Sequence, residues 1–372
     1  MKKARFYLNT AAAALFAVAM SAGFQSCNVV DNPAEGGDDP VVVDPRVKTA
    51  EELQAAINAG DAVIELAANA KITLTEALQL PNAVSIVGDE KSPATIVLAD
   101  GGIKIASSFA LSNVSIDGAN NTGALISISE EPTSELFSGT QDYYKVESIA
   151  LDNVTATGIT GSLVWDSNKK YGVVSLTINN CLIQLSTVAG NVKNAAIVSF
   201  QAGGVKDFAI TNSTIYNTSE TGAQYFLRYN NNGRIDRMGY DKATETQSWT
   251  YENNTFYKTI SNDNGQWGNG PNGQNYFKYS VKNNIWVDCS NQIVRRLGNG
   301  RIATLAEYKV FENNTYWRNG ENNVAAESAS GYDESGTILS TDPAFVDAAN
   351  GDFTPTGAEQ VSLKTGDPRW LK

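Results

Sequence analysis

Seven copies of one short pattern constrain this chain more than any other feature. Each copy has an apolar residue, any residue, an asparagine, two further residues and a second apolar residue. The asparagines are Asn113, Asn153, Asn180, Asn212, Asn253, Asn283 and Asn313. Successive asparagines lie 27 to 41 residues apart, which is within the range of repeat lengths in solenoid proteins. The spacing predicts that each copy marks one coil of a solenoid.

The asparagine of each copy suits a tight bend between two short strands. Asn tolerates left-handed backbone angles, and its amide can both donate and accept along a stack of equivalent bends. A further strand is predicted beyond a loop of variable length, at Leu125-Ile126, Leu163-Val164, Ile197-Val198, Phe226-Leu227 and Ile293-Val294. The pattern therefore predicts an all-β chain folded as a parallel β-helix. Variable loops on such a scaffold often carry function.

Closing segments are predicted at both ends of the solenoid. Thr49 and Glu52 form a capping box that begins a short amphipathic helix, and Gly60 ends it. This helix is expected to cover the first coil, whose strands would otherwise expose an edge. At the other end, residues 342–353 are expected to close the last coil.

The N-terminus has the features of a bacterial export signal. Basic residues precede an apolar stretch at 11–20, which is shorter than the roughly 20 apolar residues that span a bilayer. The sequence Gly23-Phe24-Gln25-Ser26-Cys27 is similar to the lipobox of bacterial lipoproteins, which implies that Cys27 is lipidated. The alternative is ordinary signal-peptide cleavage, with Cys27 as an incidental residue. A Pro- and Gly-rich stretch follows and favours lipidation, because it would serve as a tether.

These features divide the chain into four parts. Residues 1–26 are the predicted lipoprotein signal peptide, and 27–46 the flexible tether. Residues 47–220 are the N-terminal part of the β-helix with its capping helix, and 221–372 the C-terminal part with a C-terminal cap. The expected location is the outer membrane, lipid-anchored and at the cell surface. A net charge of −12 argues against a nucleic-acid partner.

Three segments resemble known families. The predicted helix and the following Gly60-Asp61-Ala62-Val63-Ile64-Glu65-Leu66 resemble the opening of a domain of unknown function, DUF4957, in the N-terminal half. Asp342-Pro343-Ala344-Phe345 and Gly366-Asp367-Pro368-Arg369-Trp370 resemble a second such domain, DUF5123, in the C-terminal half. Both resemble domains of Bacteroidetes-type lipoproteins, and the whole is similar to the pectate-lyase-like superfamily. The resemblance implies a right-handed, single-stranded parallel β-helix and a role in the capture or breakdown of polysaccharides.

The residues that catalysis would need are only partly present. A β-helix hydrolase needs paired carboxylates, and the Asp-Asp pair of this histidine-free chain, Asp38-Asp39, lies in the tether. A polysaccharide lyase needs a Lys or Arg base beside a cation such as calcium. Arg228, Lys278, Arg295 and Arg296 are candidates for that base, and the alternative is that they are solvated surface charges. The sequence shows no acidic cluster for a metal, so no cofactor is expected unless the protein is a lyase.

Residues 225–301 differ from the rest of the chain in charge and aromatic content. They contain ten Lys and Arg against six Asp and Glu, within a chain of net charge −12. Aromatic rings pack on the C–H faces of sugars, and Arg donates to carboxylates. Trp267, in a Gly- and Asn-rich loop, would meet a ligand if exposed; the alternative is that it packs on the coil below. The candidate ligand-binding residues are Arg228, Trp267, Tyr276, Lys278 and Arg295.

The sequence thus favours a surface glycan-binding protein over an enzyme. The expected ligand is an acidic polysaccharide such as pectin, and the protein is expected to be a monomer that works beside neighbouring glycan-uptake proteins. One alternative is a lyase that acts by β-elimination on a uronic-acid polymer. A second alternative is a structural or adhesion protein of the cell surface.

Overall fold

The structure is a computed structural model that describes residues 44–131, 143–186, 196–217, 223–229, 234–261, 265–269, 277–292, 309–324 and 333–372. Residues 46–372 form one compact unit. The predicted signal peptide, Cys27 and nearly all of the tether lie outside the described residues, as do Tyr276, Arg295 and the strand predicted at 293–294. Among the helices that the structure describes, none is long and apolar enough to cross a membrane.

Short strands in three sheets make up most of the compact unit, and they are numbered in chain order. The first sheet contains β1 (Val63–Glu65), β4 (Val84–Val87), β7 (Phe109–Ser112), β10 (Tyr144–Asp152), β13 (Tyr171–Asn179), β16 (Gly204–Thr211), β19 (Gln247–Glu252), β22 (Phe277–Lys282) and β24 (Lys309–Glu312). The second contains β2 (Lys71–Thr73), β5 (Ala94–Val97), β8 (Val114–Asp117), β11 (Thr155–Ile159), β14 (Leu182–Leu185), β17 (Thr214–Asn217), β20 (Thr255–Tyr257), β23 (Ile285–Val287), β25 (Thr315–Arg318) and β26 (Glu321–Asn322). The third contains β3 (Leu78–Leu80), β6 (Ile103–Ile105), β9 (Ile126–Ile128), β12 (Val164–Trp165), β15 (Ala196–Phe200), β18 (Tyr225–Tyr229) and β21 (Gln266–Asn269).

The pairing of these strands shows that the chain coils. From β1 to β23, each strand pairs with the strand three places away along the chain, so every coil adds one strand to each sheet. Leu111 of β7, for example, pairs with Ile86 of β4 and with Leu151 of β10. Pairing within the three sheets is parallel, except that β26 turns back antiparallel to β25. The predicted all-β solenoid of stacked parallel strands is confirmed, and four of the five strands predicted after the bends fall in the third sheet.

The seven predicted asparagines occupy the bends between the first and second sheets. Their φ angles lie between 50° and 57°, in the left-handed region that Asn tolerates. Their side chains form an outer ladder, in which Asn153 Nδ2 donates to Asn113 Oδ1 over 2.8 Å and later coils repeat the bond. The outer ladder slips once, because Asn212 Nδ2 donates to Asn179 Oδ1 at 3.0 Å instead of to Asn180.

The buried residue that follows each ladder asparagine changes along the solenoid. It is Val114, Val154, Cys181, Ser213, Asn254, Asn284 or Asn314 in turn. Asn284 Oδ1 accepts from the backbone N–H and the Nδ2 of Asn254 at 3.1 and 2.9 Å. Asn284 Nδ2 donates to Asn314 Oδ1 at 3.1 Å and to the carbonyl of Tyr251 at 2.8 Å. This inner ladder, Asn254 to Asn314, ends where Asn314 Nδ2 donates to Asp333 Oδ2 at 3.2 Å.

The core changes in the same direction. The N-terminal coils, β1 to β15, bury mainly Ile, Leu and Val, whereas the C-terminal coils, β16 to β25, bury a column of rings. The ring of Trp267 stacks on Phe226 with centroids 5.3 Å apart. Gly268 makes room for a further ring, because a Cβ there would lie 1.9 Å from Cζ3 of Trp249. The buried aromatic residues of this region therefore form core.

The predicted N-terminal helix is present as α1 (Ala50–Ala59). Both hydrogen bonds of the Thr49–Glu52 capping box form, and Gly60 ends the helix with a φ of 80°. The helix packs against the end of the aliphatic core through two buried side chains, Leu53 and Ile57. These contacts support the prediction that it covers the first coil.

The C-terminal residues follow a different course from the one predicted. Residues 342–370, here called the C-terminal strap, contain β27 (Phe345–Asp347), β28 (Asp352–Pro355), α2 (Ala358–Leu363) and two short 3₁₀ helices (Ala348–Asn350 and Pro368–Trp370). Phe353 packs on the rings of Tyr216 in β17 and Tyr257 in β20, with centroids 5.0 and 5.6 Å apart. Leu339, which bridges to Thr315, continues the second sheet beyond β25. The prediction that 342–353 close the last coil is therefore wrong, because this segment lies beside earlier coils.

Candidate functional site

The outer faces of the three sheets offer a ligand different chemistry. On the second sheet, the strap covers part of the outer face of the C-terminal coils. The first sheet is mixed in charge. Its side chains that are not buried include Glu147, Asp152, Asp207, Glu252 and Glu312 but also Lys145, Lys206, Lys278, Lys282 and Lys309. The strands of the third sheet contain basic and aromatic residues but no acidic one, and its outer face is therefore the strongest candidate for a ligand-binding surface.

One row of residues runs across the seven strands of the third sheet. Strand register aligns Gln79, Lys104, Ser127, Trp165, Ser199, Arg228 and Asn269. Neighbouring strands lie about 4.8 Å apart, so Trp165 is about 10 Å along the row from Lys104 on one side and from Arg228 on the other. This third-sheet row holds two cations and one indole, and none of its seven positions is acidic.

Trp165 lies in the middle of the row with a serine on either side. Ser127 and Ser199 are only 6% and 7% exposed, while Trp165 is half-buried. Gln201 Nε2 donates to Ser199 Oγ at 3.4 Å, which adds an amide beside the hydroxyl. The row thus flanks an apolar ring with groups that can donate and accept hydrogen bonds.

Arg228 is held against a ring of its own strand. Its Cζ lies 4.6 Å from the ring centroid of Tyr225, which is within the range of a cation–π contact. Tyr225 is 6% exposed, so the guanidinium covers this ring. The contact restrains Arg228 in the row while the positive charge stays partly accessible.

Asp166 stabilises the turn behind Trp165. It is fully buried, and its carboxylate accepts from the backbone N–H groups of Ala202 at 2.8 Å, Gly203 at 2.9 Å and Asn168 at 3.0 Å. Burial raises the pKa of this carboxyl, and hydrogen bonds from the surrounding backbone N–H groups oppose that shift. Asp166 thereby links the turn after β12 to the turn after β15. These bonds restrain the backbone next to Trp165.

Trp267 lies in the core, not on a surface loop. It belongs to β21 and is completely buried, with its Nε1 donating to the carbonyl of Ser290 at 2.8 Å. A side chain in this position has no access to an external ligand. Trp267 is therefore withdrawn from the set of ligand-binding candidates, and the alternative, packing within the solenoid, is the arrangement found.

The remaining predicted residues do not converge on one site. Lys278 lies in β22 of the first sheet, where it pairs with Ser248, whereas Arg228 lies in the third sheet. Tyr276 and Arg295 lie outside the described residues. Of the predicted residues that the structure describes, Arg228 alone belongs to the third-sheet row. In the described part of the chain, no group of three or more Asp, Glu, Cys or His is placed to hold a metal ion.

Sequence reasoning missed Trp165 and Lys104. Trp165 directly follows Leu163-Val164, as Arg228 directly follows Phe226-Leu227, so the common offset could have shown that both face outward from the same sheet. Lys104 has no such signal, because its coil precedes the first copy of the asparagine pattern. It joins the row only through the register of β6 with β9.

The sheets and the row define the class of this chain: a parallel-strand solenoid with asparagine ladders and one basic, aromatic outer face. Residues 68–218 match the family model of a domain of unknown function, DUF4957, and residues 208–370 match that of a second, DUF5123. The two matches fall in the halves of the chain where the resemblance placed them. The first sheet runs through their junction without a break, because β16 pairs with both β13 and β19. Comparison with curated proteins finds no match.

Proposed function

We propose that this protein binds polysaccharide on the third-sheet row. One observation carries the proposal: Lys104, Trp165 and Arg228 lie in line on a face whose described row positions include no carboxylate. The C–H face of a sugar ring packs on an indole, while Lys and Arg pair with carboxylates of the glycan. An acidic plant polysaccharide such as pectin has both kinds of group.

The proposal also covers the location of the protein and the type of its β-helix. Cys27 is the lipidated residue, and 27–46 tether a right-handed, pectate-lyase-like β-helix at the outside of the outer membrane. The lipobox-like sequence before Cys27 and the regular outer ladder support these two statements. Incorporation of labelled fatty acid by the wild type, and its loss in Cys27→Ala, tests the anchor separately from glycan binding.

Affinity electrophoresis in gels that contain uronic or neutral polysaccharides tests the binding site. We expect acidic polysaccharide to retard the wild type, and Trp165→Ala or Arg228→Ala to weaken binding about tenfold, the equivalent of about 1.4 kcal/mol. Trp317→Ala and Lys278→Ala are matched controls, because they remove a tryptophan from the second sheet and a cation from the first. Both controls should bind as the wild type does.

Two outcomes would contradict this proposal. One is a wild type that no polysaccharide of the panel retards. The other is Trp165→Ala and Arg228→Ala variants that bind as tightly as the two controls.

A separate assay distinguishes binding from cleavage. The same polymers are incubated with protein and calcium, and the ultraviolet absorbance of unsaturated uronides is measured. A rise in absorbance would show that the protein is a lyase that acts by β-elimination and does not only bind the polymer.

A further inference from the structure

The last residues of the C-terminal strap are bound to the second sheet by directional contacts. Asp367 Oδ2 accepts from Thr214 Oγ1 at 2.7 Å, and Trp370 Nε1 donates to the same hydroxyl at 2.7 Å. The backbone N–H of Asp367 donates to Thr255 Oγ1 at 3.0 Å. Thr214 and Thr255 pair directly across β17 and β20. The strap thus ends on adjacent coils far from its own position in the sequence.

Arg369 extends these contacts to an earlier coil. Its Nε donates to Asp367 Oδ2 at 2.6 Å, and its Nη2 donates to Asn180 Oδ1 at 3.2 Å. Asn180 is the position where the outer ladder slips, so its oxygen is not used by Asn212. The Asp367 side chain is 1% exposed. Arg369 therefore satisfies a buried carboxylate and the acceptor at the slip at the same time.

One of these contacts, from Arg369 to Asn180, joins the segments that match the two families. Asn180 belongs only to the first segment, Thr214 lies in the stretch that both family models match, and the strap belongs only to the second segment. In a solenoid each repeat contacts its neighbours, so separate segments can unfold in separate transitions. The contact between Arg369 and Asn180 instead joins the coil of Asn180 to residues that are not its neighbours along the chain.

We propose that the C-terminal strap is an intramolecular lock that makes the two family domains unfold as one cooperative unit, with Arg369 as its central positioning residue. The planar guanidinium reaches Asp367 and Asn180 together because its Nε and Nη2 donors point in different directions. A lysine at this position has a single ammonium group, so it can replace only part of the contacts that Arg369 makes with Asp367 and Asn180. The lock is independent of the proposed glycan site, which lies on another sheet.

Unfolding of the full-length protein tests the lock. Denaturant titration is followed by tryptophan fluorescence, and native hydrogen exchange is followed by mass spectrometry. We expect one transition for the wild type and two for Arg369→Ala. Amides of β14, β17 and β20 should exchange at least about tenfold faster in this variant, while β4 to β9 keep wild-type rates. Arg369→Lys should be intermediate, and Lys372→Ala, which removes a nearby exposed cation, should match the wild type.

Three results would overturn the lock. They are a wild type that unfolds in two transitions, an Arg369→Ala variant with the wild-type midpoint and exchange rates, and a Lys372→Ala variant as impaired as Arg369→Ala. If Arg369→Ala does not fold, Thr214→Val replaces it, because it removes the hydroxyl shared by Asp367 and Trp370. A single transition of Thr214→Val at the wild-type midpoint would equally overturn the proposal.

Discussion

The N-terminal and C-terminal coils solve the same packing problem with different chemistry. In both, the chain turns at a left-handed asparagine between the first and second sheets. Inside, the N-terminal coils place Val114, Val154 and Cys181 after that bend, whereas the last three coils place Asn254, Asn284 and Asn314 there. The aliphatic core of the first region likewise gives way to stacked rings in the second.

This difference shows that backbone geometry and core chemistry are separable in a solenoid. Aliphatic side chains pack without directional requirements, and a neighbour can partly relax into lost volume. Buried amides must be hydrogen-bonded, and rings must match the space across the coil, so each substitution disturbs several partners. The C-terminal coils should therefore be the more sensitive of the two regions to single substitutions.

Removal of a buried tryptophan ring should separate the two regions most clearly. Trp267→Ala is expected to lower the free energy of unfolding by about 5 kcal/mol, because a buried ring in contact with other rings is lost. Register places Leu163 at the equivalent position of an N-terminal coil, where Leu163→Ala should cost about 3 kcal/mol. Denaturant unfolding of the two variants measures the difference. Equal losses would remove the distinction between the cores.

A break in the inner ladder should have the next largest effect. Asn284→Leu leaves the amide of Asn254 and the carbonyl of Tyr251 without their partner, and each orphaned buried group costs about 1–3 kcal/mol. We expect a total loss of about 4 kcal/mol. Val154→Ala, at the same bend in an N-terminal coil, should cost about 2 kcal/mol. A smaller loss for Asn284→Leu than for Val154→Ala, measured by denaturant unfolding, would contradict the comparison.

Overpacking of the aromatic core should have a smaller effect. The Cβ of Gly268→Ala meets the ring of Trp249, so this variant should lose about 2 kcal/mol. In an N-terminal coil, the Cβ of Gly123→Ala has its nearest neighbour, Asn121 Oδ1, at 3.4 Å. That control should stay within about 0.5 kcal/mol of the wild type. Thermal unfolding compares the pair, and a stable Gly268→Ala would show that Trp249 can move.

The smallest predicted effect is a pH dependence from Asp166, a buried carboxyl of the N-terminal coils. Burial raises its pKa in the folded state above the ordinary value. Between those two pKa values the folded state binds more protons than the unfolded state, so the contribution of this group to stability falls as pH rises. The stability of the wild type relative to Asp166→Asn should therefore decline as pH rises from about 4. A difference that is flat or increases with pH would contradict the sign.

The sequence predicted those features that one residue type determines locally. Asparagine at a left-handed bend, the Thr49–Glu52 capping box and Gly60 each follow from the preferences of single residues, and all are present. The doubled asparagines at 253–254, 283–284 and 313–314 also carried the signal for the inner ladder, but only the first residue of each pair was interpreted.

The candidate site could be predicted only in part, because it depends on register between coils. The Gly and Asn residues around Trp267 suggested a loop. Gly268 instead lies in a strand, where the ring of Trp249 from another sheet occupies the space that a side chain would need. No local pattern contains that relation. Lys104 and Trp165 lie on the same face because loops of unequal length return each strand to the same register, and those loop lengths follow no visible rule.

The inner ladder has a direction, and that direction bears on how such a chain can evolve. Each asparagine accepts from the coil before it and donates to the coil after it, from Asn254 through Asn284 to Asn314. A tandem duplication of one whole coil would therefore join the series without leaving an unpaired amide. Asp333 accepts from Asn314 and has no amide N–H to donate to a further coil, so it ends the series. A chain of this kind can therefore gain coils by internal duplication, provided that the Asp333 acceptor at the end of the inner ladder is kept.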